Sequence, residues 1–504
     1  MPSYTMPCNS GLEDYFATYR RHIIGYRQSF LSPFGRKRII YADWTASGRA
    51  YGPIEDTIRQ QVLPFVGNTH THTTVTGTYM SEAYETAKGI IKAHVNAAEE
   101  DVLLFCGSGM TGAVNKLQRL LGLRIPGRAA TCLHSTYREE AGRPVVFVTH
   151  MEHHSHHISW LETMATVEII ARDANGQVDL RHFHALLEQY KQRTVKIAAV
   201  TAASNVTGIR TPYHDMAKLV HRYNGWCFVD FACAAPYCDI DMHPDEPGAA
   251  LDAIYFSPHK LLGGPGTPGV LLFHQKLYCH AAPDEPGGGT VDYTNPWGEY
   301  DYTADIAQRE DGGTPPFLQG IKAAMCIRLK EAMQVDNIRQ REEALLSVIL
   351  PRLARIPQLQ VLEPQAVQRL GVVSFIVPGV HYHLVVRLLN DRFGIQLRGG
   401  CSCAGTYGHL LLNVDKERSH AIRQSILSGD MSCKPGWVRL SVHPTMTDRE
   451  VHYILDAIEA TVLQARTWGR DYVYDARTND FRFQGAANTT PVDSWFNVDG
   501  WHLP

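Results

Sequence analysis

The chain has 504 residues, 44% of them hydrophobic and 20% charged, with a formal net charge of −3, which suits a soluble globular protein of two domains and gives no electrostatic reason to expect nucleic acid or an acidic membrane surface as partner. No apolar run approaches the ~18 residues needed to cross a bilayer, the first residues lack the pattern of a secretory signal, and the cytoplasm is the expected compartment. Eleven cysteines scattered from Cys8 to Cys433 do not form a dense disulfide framework, so most are expected to be reduced and buried.

Residues 1–40 are set apart as an N-terminal segment. Beyond them, short β-branched or aromatic runs begin at Val102, Val145, Val167, Ile197, Cys227, Ala253 and Val270, and read as about seven buried strands. Helix-length segments lie between several of them, such as the one carrying Met216, Leu219, Val220 and Tyr223 at helical spacing. The alternation predicts an α/β fold with a mostly parallel sheet covered by helices, over residues 41–318. A stretch rich in Gly, Pro, Asp and Tyr, from Ala281 to Pro316, ends this domain and has the character of a functional or interfacial loop. A smaller α+β domain is expected over residues 319–466: a helical pattern from Gln319 through Arg339 to Leu350, a strand from Val372, a helix around Leu384 to Asn390 and a strand from Val438. The tail, residues 467–504, is aromatic and polar without clear periodicity.

Gly107, Gly109 and Gly112 follow the first strand on the spacing G-x-G-x-x-G and lead into a helical pattern. A strand, a glycine turn and a helix start place free N–H groups and the positive helix end at one point, which suits any phosphate. A dinucleotide site would add an acidic residue about 20 positions on, and the stretch GRAATCLHSTY there has none, which weakens a nicotinamide oxidoreductase reading. A tight turn packed for steric reasons is the bland alternative.

Lys260 follows the strand AIYF, between Ser257, His259 and a glycine cluster. Burying an ammonium is costly, and the same burial lowers its pKa and frees the amine for a Schiff base; a surface lysine is the default otherwise. Asp230 ends the strand CFVD about thirty residues earlier, and a helix cap is its cheap alternative. Pyridoxal phosphate requires this set: an amine for its aldehyde, an acid to keep the pyridine nitrogen protonated, and a helix N-terminus for the phosphate.

From about Tyr41 to about Ala465 the chain resembles the class V aminotransferase fold, a type I fold of pyridoxal phosphate enzymes, most closely the cysteine desulfurase and selenocysteine lyase branch. The resemblance implies that Lys260 carries the cofactor, Asp230 pairs with its ring nitrogen, His153 stacks on the ring and assists proton transfer, and Asn205 contacts the ring substituents. It implies that Met110, Thr111, Ser257 and His259 hold the phosphate, and that Thr314 reaches the phosphate of a neighbouring subunit in a homodimer with shared sites. The run Arg398-Gly399-Gly400-Cys401-Ser402-Cys403 is similar to the family's active-site cysteine loop, where the nucleophile lies five residues after an arginine, which points to Cys403. Arg439 resembles the arginine that grips the substrate carboxylate, with Arg398 as a supporting cation and Asn205 nearby. The implied activity converts L-cysteine to L-alanine, leaves the sulfur on Cys403 as a persulfide and passes it to an acceptor protein or small thiol.

One residue departs from the family pattern: Cys233 stands where glutamine usually bonds the cofactor's phenolic oxygen, and a thiol is a weak donor. Cys401 leaves room for sulfur relay, regulation or metal binding. The histidines 153, 154, 156 and 157, and Cys401 with Cys403 and His409, are metal-ligating types, but neither group supplies a complete ligand set and no metal is expected. His154, His156 and His157 read as surface or helix-start histidines. An inert buried thiol is the bland reading of Cys403. Rival functions are a selenocysteine lyase, C–S lyase or aminotransferase on the same fold, and a non-catalytic scaffold.

Overall fold

A computed structural model describes residues 10–69, 71–124, 142–366, 368–485 and 491–497. The stretch GRAATCLHSTY, read above for a missing carboxylate, lies outside the described residues.

All seven expected strands form one sheet. They are β1 (Asp101–Cys106), β2 (Val145–Thr149), β3 (Thr166–Ile170), β4 (Lys196–Thr201), β5 (Trp226–Asp230), β6 (Ala253–Phe256) and β7 (Gly269–His274), in the order β1-β7-β6-β5-β4-β2-β3. Pairing is parallel throughout except that β7 runs antiparallel to both β1 and β6. Every residue of β2, β4 and β6 is buried, which is why these strands read as unbroken apolar runs rather than alternating ones: helices cover both faces. Because the remaining strands run the same way, the loops after β1, β2, β4, β5 and β6 gather at one edge of the sheet, where open α/β folds place their ligands.

A second, four-stranded sheet lies C-terminal to the first, with β8 (Gln360–Val361), β9 (Val372–Ile376), β10 (Arg398–Gly400) and β11 (Trp437–Ser441) in the order β8-β9-β11-β10. The expected helix after residue 319 is two helices, Phe317–Met333 and Val335–Arg355, broken at Gln334 with its φ of 57°. The start of the chain crosses to this region: Ile40 and Tyr41 pair in parallel with Ile395 and Gln396, and residue 43 bridges Ser441 of β11. One apolar core runs from Phe16 through the large sheet to Val462.

The tail carries structure that its sequence conceals. Tyr472–Asp475 and Asp480–Phe483 form an antiparallel hairpin, with Tyr472 buried beside Leu388 and Ala465 and Phe483 edge-on to Phe34. Each strand is four residues long; Asp480–Phe483 alternates charge with aromatic rings and Tyr472–Asp475 ends on an aspartate, and both are too short and too polar to register as an apolar run. Likewise the irregular stretch before residue 316 holds a hairpin, Val291–Thr294 with Tyr300–Tyr302.

Gly269, first in β7, faces Cys106 at the end of β1, and a Cβ there would lie 2.0 Å from the Gly109 carbonyl oxygen. Gly269→Ala is therefore expected to destabilise the fold by about 1–3 kcal/mol, as overpacking does. Gly89 sits exposed in a helix with nothing within 4 Å of an added Cβ, so Gly89→Ala should stabilise by up to ~1 kcal/mol. Denaturant unfolding of both variants checks the contrast, and equal effects would contradict it.

Candidate active site

At the C-terminal edge of the large sheet lies a cavity of about 230 Å³, to which that sheet contributes residues from five separate stretches. The loop after β1 supplies Ser108, Met110 and Thr111; the loop after β2, His153; the loop after β4, Asn205; β5 and its loop, Asp230 and Cys233; and the loop after β6, Ser257, His259 and Lys260. The small sheet closes the cavity with Arg398, Ser402, Cys403 and Arg439. Every candidate residue lines it except Thr314, which is exposed and whose Oγ1 donates to Asn68 Oδ1 at 3.5 Å.

The helix Gly109–Leu120 points its N-terminus into this space. Gly109 has a φ of 58°, a left-handed turn that glycine adopts without strain, and a Cβ there would meet Ser257 Oγ at 2.8 Å. The Met110 N–H donates to Ser257 Oγ at 2.8 Å, and Thr111 Oγ1 donates to Ser155 Oγ at 2.8 Å. First-turn amides have no acceptor within their helix, so this corner offers backbone donors and the positive end of the macrodipole to an anion.

Lys260 is partly exposed where it lines the cavity, and burial pushes its amine below the ordinary lysine range, opposed by the nearby Asp230 carboxylate. Asp230 is 3% exposed; burial pushes its carboxyl up, while His156, the Ala232 N–H at 2.8 Å and Lys260 pull it down. A desolvated carboxylate that faces an open cavity is placed to receive a cation or a hydrogen-bond donor from whatever binds there. His153 caps its helix, Nδ1 accepting from the Ser155 N–H at 3.1 Å, which leaves the ring proton on Nε2. Its pKa is lowered to about 3 by burial and by Lys260, so the ring is neutral at physiological pH.

His156 is not a surface histidine: it is fully buried beneath this floor. Nδ1 lies 2.6 Å from Glu152 Oε2, and Nε2 bonds the Tyr255 hydroxyl. Glu152 Oε1 accepts from the Thr149 N–H at 3.0 Å, the Thr149 hydroxyl at 2.7 Å and the Thr201 N–H at 3.0 Å. Burial opposes charge on both partners, yet their attraction holds the Glu152 carboxyl below its ordinary value and raises the His156 ring. The spacing of four between Glu152 and His156 was the one clue to the pair.

The cysteine loop rests on the same helix start. The His154 N–H donates to the Cys403 carbonyl at 2.6 Å, the Gly405 N–H donates to His154 Nε2 at 2.7 Å, and His157 Nδ1 lies 3.0 Å from Thr406 Oγ1. His154 and His157 do lie at the helix start, as expected, but they are half-buried and hold the loop rather than standing free at the surface. Ser402 and Cys403 both have left-handed backbones, with φ of 49° and 55°, and Cys403 is exposed while Cys401 is half-buried. Asn205 Nδ2 donates to the Ser402 carbonyl at 2.7 Å, and its Oδ1 is buried without a partner among the described residues. Cys233 is 4% exposed, its thiol pushed up to about 12 by burial and donating to the Ser204 carbonyl at 3.6 Å.

Sequence reasoning missed the segment from Ala42 to Arg49. Gly48 packs so closely on the lysine loop that a Cβ would lie 1.9 Å from the Leu261 carbonyl oxygen, and its N–H donates to the His259 carbonyl at 2.9 Å. Thr45 and Ala46 line the cavity, and Asp43 reaches Arg439 at 2.6 Å. The segment's short, mixed residues carry no periodic signal.

The sequence model of the family described as aminotransferase class-V matches residues 40–454. The chain belongs to that family. Two relatives named as probable cysteine desulfurases, from Staphylococcus aureus and Halalkalibacterium halodurans, are 28% and 29% identical over 373 and 371 residues, each match covering 73% of this chain and 84% of the relative. Among solved structures, the apo cysteine desulfurase of Thermococcus onnurineus superposes with a TM-score of 0.70 at 24% identity, over 92% of this chain and all of that one. A cysteine desulfurase of Escherichia coli gives 0.67 at 20% identity, over 89% and 98%. The architecture of this class-V family member is thus the type I fold of pyridoxal phosphate enzymes, with its cavity at the sheet edge where the five stretches meet.

Burial lowers His94, His150, His259 and His381 to about 4 and His153 and His443 to about 3. In the unfolded chain these rings take up protons near pH 6.5, so below about 6.5 the unfolded state binds more protons and stability falls on acidification. Glu342, pushed up to about 8 by burial, works in the opposite sense, as do Asp230, His156 and His221 with their raised values, but they stand against these six rings and against His154, His157 and His383, which burial also lowers. The thermal midpoint is expected to drop between about pH 7 and pH 5; a flat or rising midpoint would contradict these assignments.

Proposed function

We propose that this family member binds pyridoxal phosphate in the cavity and acts as a cysteine desulfurase, converting L-cysteine to L-alanine with the sulfur passing to Cys403. The observation that carries the reading is the convergence on one small cavity of Asp230 at the end of β5, Lys260 in the loop after β6, and Cys403 from the small sheet's side. The relatives' names point the same way.

The residues suit the cofactor. The amides of the first turn at Met110 and Thr111, with Ser257 and His259, form an anion corner; Asp230 awaits a cation; Asn205 Oδ1 lacks a partner; His153 offers a neutral ring face and an Nε2 proton. When bound, pyridoxal phosphate supplies an electron sink for bond breaking at the amino acid's Cα. Lys260, its amine made less basic by burial, is placed to hold the cofactor and then to carry the Cα proton. Arg439 receives the substrate carboxylate.

The Cys403 thiolate attacks the substrate sulfur. An S–S bond forms, the C–S bond breaks with its electron pair going to carbon, and protonation of that carbon yields alanine. The loop's left-handed backbone at Ser402 and Cys403, tied down by His154 and Asn205, presents the sulfur to the cavity while leaving it exposed to an acceptor, a protein or a small thiol. Thr314, off the cavity and exposed, is read as the residue offered to a second copy's phosphate in a homodimer. Cys233 takes the usual glutamine's place, with its weak donor turned to a backbone carbonyl, so it gives the cofactor's phenolic oxygen little support.

In a single turnover with L-cysteine, alanine and protein-bound persulfide are expected to appear in equal amounts. Cys403→Ala should abolish the persulfide while the cofactor's absorbance still responds to L-cysteine. Pyruvate and sulfide in place of alanine and persulfide would instead favour an eliminating C–S lyase.

A further inference from the structure

Two arginines in one amino-acid cavity suit a dicarboxylic substrate, a guanidinium for each carboxylate. Arg439 and Arg398 both line this cavity; Arg439 is 2% exposed, and the Arg398 side chain, 47% exposed, stands at the rim. A third charge lies between them. Asp43 Oδ1 is 2.6 Å from Arg439 Nη2, and Oδ2 is 3.6 Å from Arg398 Nη1.

Asp43 is fixed in place. Its carbonyl accepts from the Ala46 N–H at 3.0 Å and the Tyr41 hydroxyl at 3.1 Å, its backbone bridges Ser441 of β11, and its side chain is 14% exposed. Arg439 is correspondingly committed: Nη1 donates to the Asn205 carbonyl at 3.0 Å, Nη2 to Asp43, and Nε is buried without a partner among the described residues. The three side chains together carry one net positive charge, enough for one incoming carboxylate.

We propose that Asp43 is a specificity-determining residue, which cancels one arginine's charge and thereby restricts the cavity to amino acids with a single carboxylate. A second carboxylate drawn to Arg398 would come within a few ångströms of Asp43, where like charges at reduced dielectric lower affinity on the order of tenfold or more. A thiol side chain meets no such penalty. The inference rests on the amino-acid reading given above and names the substrate class of that same site.

Binding to the holoenzyme tests it, with L-alanine and L-aspartate as probes and the cofactor's absorbance band as readout. In the unaltered enzyme L-alanine is expected to bind at least about tenfold more tightly than L-aspartate. Asp43→Asn should shrink that ratio to about threefold or less by strengthening L-aspartate more than L-alanine, and Asp43→Glu should restore it, which a purely structural role would not do. Equal affinities in the unaltered enzyme overturn the proposal whatever the variants do, as does an unchanged ratio in Asp43→Asn. Failure of L-alanine to bind at all would instead overturn the amino-acid reading, and this inference with it.

Discussion

Everything at this site depends on taking an amine and a carboxylate out of water at the edge of one sheet. Lys260 and Asp230 end up there because β5 and β6 are parallel neighbours whose loops leave from the same side. Burial disfavours charge on each and pulls their pKa values toward one another, the amine down and the acid up. Glu152 and His156 lie below, with Glu152 fixed by bonds from β2 and β4, so a buried acid–imidazole pair underlies the floor of the cavity.

The second constraint is closure from the other side. The small sheet contributes Arg398, Arg439 and the cysteine loop, and the segment from Ala42 to Arg49 joins the two sides, with Asp43 against both arginines and Gly48 against the lysine loop. Neither sheet makes the site alone. The loop carrying Cys403 is tied to the large sheet's helix start through His154, so the thiol's place relative to Lys260 is set by backbone hydrogen bonds rather than by packing of exposed side chains.

Much of this was legible in the sequence, for physical reasons. Strands buried on both faces read as unbroken apolar runs, so the central strands stood out at once, and the half-exposed edge strand β3 was still marked by its β-branched residues. Lys260, Asp230 and Gly109 were visible because each breaks the local rule for a strand end. The tail hairpin was not, since Tyr472–Asp475 and Asp480–Phe483 are too short and too charged to show a period. Asp43 was invisible for another reason: its meaning comes from Arg439 and Arg398, more than 350 residues away, and nothing local hints at them. His156 was misjudged because a run of four histidines in five positions looks solvated, while the helix turns only one of them fully inward.

The central claim is that one lysine holds the cofactor, and chemical labelling addresses it directly. Borohydride reduction of the holoenzyme followed by peptide mapping is predicted to place the cofactor-derived mass on Lys260. A label on any other residue, or none at all, would contradict the account.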